Sequence, residues 1–185
     1  MRQSTKRVVK TDNKSVANKV FLRKKATEHL QGLHVLDLFA GNNVLWSNID
    51  TKRYYGVELV AGKGANLNAD AKRAVVSLDL SQFNVIDCDS FGIPFEICRR
   101  IIENDDVKSG TIVLYTAMTN VFTQLPRVCV DELGIGHMYK ITRSLFNLNA
   151  ITYFYDMLAN LGIREVKYYE VNDHYTKHYG YFVIP

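Results

Sequence analysis

Two acids 21 positions apart, Asp37 and Glu58, stand in apolar runs on either side of the turn that can do chemistry in this chain. The first run, His34-Val-Leu-Asp-Leu-Phe-Ala-Gly-Asn-Asn43, breaks at Ala40-Gly41 into polar residues; the second, Tyr54-Tyr-Gly-Val-Glu-Leu59, closes on Glu58. Gly41 has no Cβ, so a tight turn with positive φ is open to it and a ligand can approach the backbone there. A carboxylate accepts hydrogen bonds without donating any, which suits Glu58 to pair with ribose hydroxyls. The layout is that of a site for a ribosylated adenine cofactor at the edge of a parallel sheet. A G-x-G-x-x-G dinucleotide turn needs three glycines, and this turn offers one.

The stretch Val35-Leu-Asp-Leu-Phe-Ala-Gly41 resembles the first motif of class I S-adenosylmethionine-dependent methyltransferases, especially those acting on RNA or DNA. That family carries a second glycine two positions on, where this chain has Asn43, the residue type after glycine that best tolerates left-handed backbone. The resemblance covers about residues 33–185. It implies an α/β fold: a three-layer, Rossmann-like, doubly wound and mostly parallel sheet with a C-terminal antiparallel hairpin. It also implies S-adenosylmethionine as cofactor, held at Asp37, Ala40, Gly41, Asn42 and Asn43, with Glu58 on the ribose. In Val85-Ile-Asp-Cys-Asp-Ser-Phe91, Asp89 resembles the family's acid on the adenine amino group, with Asp87 as the competing choice. Ser90 then offers a backbone N–H to a ring nitrogen, and Phe91 covers the ring. Asp37 resembles the motif acid near the cofactor's cationic methionine end; a cap for the turn is the other reading.

The methyl acceptor is less legible. Enzymes of this family that methylate exocyclic amines carry an Asn/Asp-Pro-Pro-aromatic turn after the fourth strand. The equivalent here is Tyr115-Thr-Ala-Met-Thr-Asn120, without proline. Cytosine-C5 chemistry needs an activated cysteine, and Cys129 is several residues too far along. Thr116, Met118 and Asn120 are the expected acceptor-side residues. No metal is expected, because His174 and His178 lie four apart in a predicted hairpin, not on one helical face. The tyrosine-rich tail reads either as a half-buried hairpin or as a stacking surface for bases.

These groups need elements to carry them. Ser15 caps a predicted helix over 16–31, with Val16, Val20, Phe21 and Leu30 facing the body and Lys19, Arg23 and Lys24 on the other side. Residues 34–39 read as the first strand, 44–49 as a short helix with Trp46 packing inward, and 54–59 as the second strand. Residues 60–70 read as a loop and 69–78 as a helix. The third strand falls at 83–87, a helix begins at Pro94, and the fourth strand falls at 111–116. A long helix is expected over 144–161, with Leu145, Leu148, Ile151, Phe154, Tyr155, Leu158 and Leu161 inward. Segments 163–171 and 179–184 form the closing hairpin. No fifth strand is visible between Thr116 and Ser144.

Charge is unevenly placed. Residues 1–25 hold nine Lys or Arg against one acid, Asp12, whereas the remaining 160 residues hold 14 basic and 18 acidic side chains. A basic arm on an acidic body suits a polyanion. Residues 1–14 are therefore expected to be a flexible basic arm, with Lys6, Arg7, Lys10 and Lys14 on nucleic-acid phosphates, and 15–185 a single Rossmann-like domain. No apolar run is long enough to span a bilayer, so no membrane contact is expected. Three cysteines without C-x-x-C spacing argue against a disulfide framework and for a cytoplasmic setting. The expected function is an S-adenosylmethionine-dependent methyltransferase acting on RNA or DNA. The alternatives are a non-catalytic cofactor- or nucleic-acid-binding subunit with a protein partner, or a small-molecule methyltransferase.

Overall fold

The apolar run after Gly32 forms an inner strand of the sheet, and everything that positions the site follows from its neighbours. A computed structural model describes residues 16–118, 124–172 and 177–185. The chain order is α1 (Val16–Thr27), β1 (His34–Asp37), β2 (Arg53–Glu58), β3 (Leu67–Asn68), α2 (Ala71–Ser77), β4 (Val85–Cys88), α3 (Phe95–Ile102), β5 (Ile112–Met118), α4 (Arg127–Glu132), α5 (Gly136–Ile141), α6 (Arg143–Leu148), α7 (Ala150–Asn160), β6 (Val166–Asn172) and β7 (Lys177–Val183). The strands lie in the order β3-β2-β1-β4-β5-β7-β6. Pairing is parallel from β3 to β5 and antiparallel at β5–β7 and β7–β6. The mostly parallel sheet with its closing hairpin is as expected.

Side chains alternate across each strand, so the sheet has two buried faces. Leu36, Ile86, Val113 and Phe182 pack on one side with α2, α3 and α7. Val35, Val85, Ile112, Leu114, Tyr179 and Tyr181 pack on the other, with Leu22 and Ala26 of α1 and with Trp46. Helices on both faces make three layers. Tyr179, Tyr181 and Phe182 are thereby core residues.

Four expectations are corrected. First, residues 60–70 contain β3, paired to β2 through Val57–Leu67 and Glu58–Asn68. The strand at Val85–Cys88 is thus the fourth, and Ile112–Met118 is the fifth that the sequence seemed to lack. Second, residues 44–49 form turns, held by Ser47 N–H to the Asn43 carbonyl at 3.2 Å and Ile49 N–H to that of Trp46 at 3.0 Å. Third, the expected helix over 144–161 breaks at Asn149, whose Nδ2 donates to the Leu145 carbonyl at 2.9 Å. The break rotates α6 away from the register of α7: Leu145 and Leu148 are exposed, while Phe146, Phe154, Met157 and Leu158 are buried. Fourth, Lys19 and Arg23 face inward and Phe21 outward, because α1 crosses carboxylates as well as apolar sheet.

Candidate functional site

Parallel strands deliver their C-terminal ends to one rim, where α/β folds bind ligands. After β1, the chain turns through Gly41 at φ 51° and Asn43 at φ 55°, so both expected left-handed positions are used. The Ala40 N–H donates to the Val57 carbonyl at 3.0 Å, and the Asn43 N–H to the Ala40 carbonyl at 2.8 Å. Glu58, closing β2, receives the Gly41 N–H on Oε2 at 3.0 Å and the Val60 N–H on Oε1 at 3.1 Å. A carboxylate has about four acceptor positions, so Glu58 keeps room for two hydroxyls while fixing the turn.

Asp37 and Asp87 are paired across β1–β4 and share the α1 face with Val35 and Val85. Asp37 accepts the Phe39 N–H on Oδ1 and the Tyr54 hydroxyl on Oδ2, each at 3.1 Å. Tyr54 reaches it across Gly56, where a Cβ would lie 3.0 Å from the tyrosine oxygen and 2.9 Å from the Ala40 Cβ. Asp87 Oδ2 accepts from Arg23 Nε and Trp46 Nε1, both at 2.7 Å, and lies 2.6 Å from Arg23 Nη2. Asp89 is gripped on both oxygens by Lys19 Nζ at 2.8 and 2.7 Å. Lys19 and Arg23 are one helical turn apart on α1, matching acids two residues apart on the β4 rim. Sequence patterning placed both cations in solvent; their only warning was this spacing against Asp87 and Asp89.

Burial sets the protonation. Desolvation, with the Asp87 charge, pushes Asp37 up to about 8 against the opposing pull of Arg23, and desolvation raises Asp87 too, against the pull of Arg23 and the Trp46 N–H. Burial opposes the charge on Arg23 too, but Asp87 and Asp89 outweigh it and hold the guanidinium protonated. Burial likewise opposes ionisation of Asp89, and Arg23 and Lys19 overcome it, holding that carboxyl low. The folded chain therefore keeps a proton on Asp37 that the unfolded chain, with an ordinary value of 3.8, releases. Stability from this group is full at pH below about 4 and declines as pH rises through about 8. Asp37→Asn has no such proton to lose. Its melting temperature should fall less than the parent's between about pH 5 and pH 9; parallel curves would contradict the protonated Asp37.

The strand count moves several expected residues. Residues 87–91 close and follow β4, next to β1 and β5, while β3 closes on Asn68 and is followed by Ala69 and Asp70. Asp70 caps α2 through the Lys72 N–H, and Asn68 Nδ2 donates to the Glu58 carbonyl at 3.3 Å. Asp87 and Asp89 thus stand on the opposite side of β1 from β3. Ser90 is buried, and its N–H donates to the Cys88 carbonyl at 2.7 Å, so it is not turned to a ring nitrogen. Phe91 is 94% exposed. Ala40 and Gly41 are buried and Asn42 exposed at the turn. Thr116 is buried beside Asp89, and the Met118 N–H donates to the Gly92 carbonyl at 2.8 Å, tying the β4 and β5 rims together. Asn120, Lys6, Arg7, Lys10 and Lys14 lie outside the described residues. Among the described residues, no group of His, Cys, Asp and Glu is arranged to hold a metal, and no helix is long and apolar enough to cross a membrane.

Among the described residues, three buried side-chain atoms lack a partner: Asn43 Oδ1, Asp87 Oδ1 and Ser90 Oγ. All three belong to the β1 and β4 rims. Unpaired buried acceptors are rare and mark places where a further donor belongs. With the free lone pairs of Glu58, they fit an adenosyl group carrying an amino acid.

No protein-family model matches the sequence, and no curated protein matches it. Solved structures do match. One is a SAM-dependent methyltransferase from Archaeoglobus fulgidus, at 12% identity and TM-score 0.56, covering 90% of this chain and 93% of that one. Another is Trm1 from Pyrococcus horikoshii in complex with S-adenosyl-L-methionine, at 17% identity and TM-score 0.55, covering 91% and 54%. A third is magnesium protoporphyrin IX methyltransferase from Synechocystis with bound SAH, at 15% identity and TM-score 0.52, covering 92% and 81%. This chain spans about half the length of the Pyrococcus protein. It has the class I S-adenosylmethionine-dependent methyltransferase fold.

Proposed function

We propose that the protein is an S-adenosylmethionine-dependent methyltransferase acting on nucleic acid. The observation that carries the cofactor is the convergence of the left-handed turn at Gly41 and Asn43, the Glu58 carboxylate and the unpaired acceptors on one rim. Asp37, Ala40, Gly41, Asn42 and Asn43 cradle the methionine end, and Glu58 holds the ribose. The rim after β3, at residues 68–70, takes the adenine in this sheet order. When bound, the cofactor supplies an electrophilic methyl on its sulfonium.

The acceptor approaches from the β4 and β5 rims, where Ser90, Phe91, Thr116, Met118 and Asn120 would meet it. A phenyl ring standing free in solvent gives an unpaired base a face to stack on, worth about 1–3 kcal/mol. The basic arm favours a polyanionic acceptor. Lys19 and Arg23 are spent on Asp89 and Asp87, so the arm's charge rests on Arg2, Lys6, Arg7, Lys10 and Lys14. Because Lys19 touches the β4 rim, the first turn of α1 lies beside the site.

Transfer of labelled methyl from the cofactor to total RNA or DNA tests the reading: incorporation into one of them is expected, and none into either sinks it. Removing residues 1–14 should weaken nucleic-acid binding and leave cofactor affinity unchanged. Each lost phosphate contact should also lower the log–log salt slope by about 0.9 on duplex DNA or about 0.7 on single strands. An unchanged slope would leave the arm without a role in binding.

A further inference from the structure

Apolar residues recur at helical spacing along the outside of α5 and α6. Met138, Ile141, Leu145 and Leu148 follow one another at steps of three, four and three, and they are 58, 70, 57 and 58% exposed. The row stands on a fixed platform. On the inner side Phe146 and Asn147 are buried, and Tyr139 meets Phe146 edge-on with ring centroids 6.1 Å apart. Asn147 Oδ1 accepts the Tyr139 hydroxyl at 2.9 Å and the Leu125 N–H at 3.2 Å. α5 itself is six residues long with none buried, too short to hold without contacts along a face. Single apolar residues on a surface are ordinary, whereas a row of four in one place marks an interaction site.

The charge around this row is of one sign. No Asp or Glu occurs from Leu133 to Tyr155, whereas His137, Lys140 and Arg143 are exposed there. Arg143 sits over the Tyr139 ring, 6.0 Å from its centroid, and neither it nor Lys140 pairs with an acid among the described residues. The acids just ahead, Asp131 and Glu132, are taken by Arg127 and Arg99. We propose that the α5–α6 row docks an amphipathic helix of a partner protein, apolar on one face and flanked by Asp or Glu. Such a helix repeats its apolar side chains at the same steps of three and four, and its acidic flanks meet Lys140 and Arg143. A second copy would instead bring these cations against their own equivalents across a two-fold axis. Nucleic acid suits the cations but not four aliphatic side chains, since bases stack on aromatic faces. A membrane-surface helix is rich in Lys and Arg, whereas here two such cations flank a row interrupted at Thr142, which ends α5 and begins α6. The inference stands apart from the adenosyl-cofactor reading.

Fluorescence anisotropy of a labelled synthetic helix of leucine and glutamate, titrated with the full chain, tests this beside two controls. One is a scrambled peptide of the same composition, which has no apolar face; the other is a helix with lysine in place of glutamate. The leucine–glutamate helix should bind one-to-one and about tenfold or more tightly than either control. Leu145→Asp or Ile141→Asp should remove that advantage and leave the melting temperature near the parent's, because both side chains are exposed. Lys140→Glu combined with Arg143→Glu should bring the leucine–glutamate helix down to the level of its scrambled control. S-adenosylmethionine affinity should be the same in all these variants, so a failure of cofactor binding bears on that reading alone. Equal binding of the designed and scrambled peptides would give the attraction to the cations of residues 1–14 and overturn the inference. So would self-association in sedimentation, or binding to vesicles of phosphatidylserine and phosphatidylcholine, that Leu145→Asp abolishes.

Discussion

Replacing Arg23 by alanine should cost about 3–5 kcal/mol of folding stability, because it strands Asp87 as an unpaired charge in the interior. The Arg23 and Asp87 side chains are only 3% and 1% exposed, and the arginine is also the contact by which α1 meets the Trp46 ring, 5.7 Å from its centroid. The loss should show as a lower urea midpoint. Lys24→Ala, on the exposed side of the same helix, should stay within about 0.5 kcal/mol of the parent. Arg23→Met combined with Asp87→Asn should recover much of the loss, since the cost lies in the uncompensated charge more than in the missing pair. Equal midpoints for Arg23→Ala and Lys24→Ala would mean that α1 is held by Leu22 and Ala26 alone.

Glu58→Ala should weaken S-adenosylmethionine binding by about 1–3 kcal/mol, a loss of roughly five- to 150-fold in affinity. Two effects add. The ribose loses its charged acceptor, and the N–H groups of Gly41 and Val60 lose the group that sets the turn. Glu58→Gln keeps one carbonyl acceptor and should fall between the two. Folding stability should fall as well, by about 1–3 kcal/mol, because the buried Gly41 N–H is left without its acceptor while the β1–β2 ladder stays intact. Unchanged affinity would place the ribose away from the end of β2.

The parts of this site that sequence made legible are those with strong local signals. The unbroken apolar run before Gly41 admits little but a buried strand, and Asn43 is the kind of residue that can replace a glycine at positive φ. Glu58 was locatable because its strand ends where the apolar run ends. By contrast, β3 is two residues long, too short for any periodicity to register, and it is recruited by its pairing with Val57 and Glu58. Missing it shifted every later strand by one. That shift makes residues 87–91 read as the rim after a third strand and leaves a fifth strand unaccounted for. Lys19 and Arg23 were misplaced for a different reason. Helical patterning sends cations to solvent, and only the tertiary match to Asp87 and Asp89 reverses this. The break at Asn149 is a side-chain competition for the Leu145 carbonyl, invisible to an apolar repeat that continues on either side of it.

The most direct test of the account is calorimetric titration of the full chain with S-adenosylmethionine and with S-adenosylhomocysteine. The rim built by Gly41, Asn43, Glu58 and Asp87 predicts saturable, one-to-one binding of both, weakened in parallel by Glu58→Ala. No heat and no saturation with either ligand at high micromolar concentration, from protein shown to be folded, would contradict it.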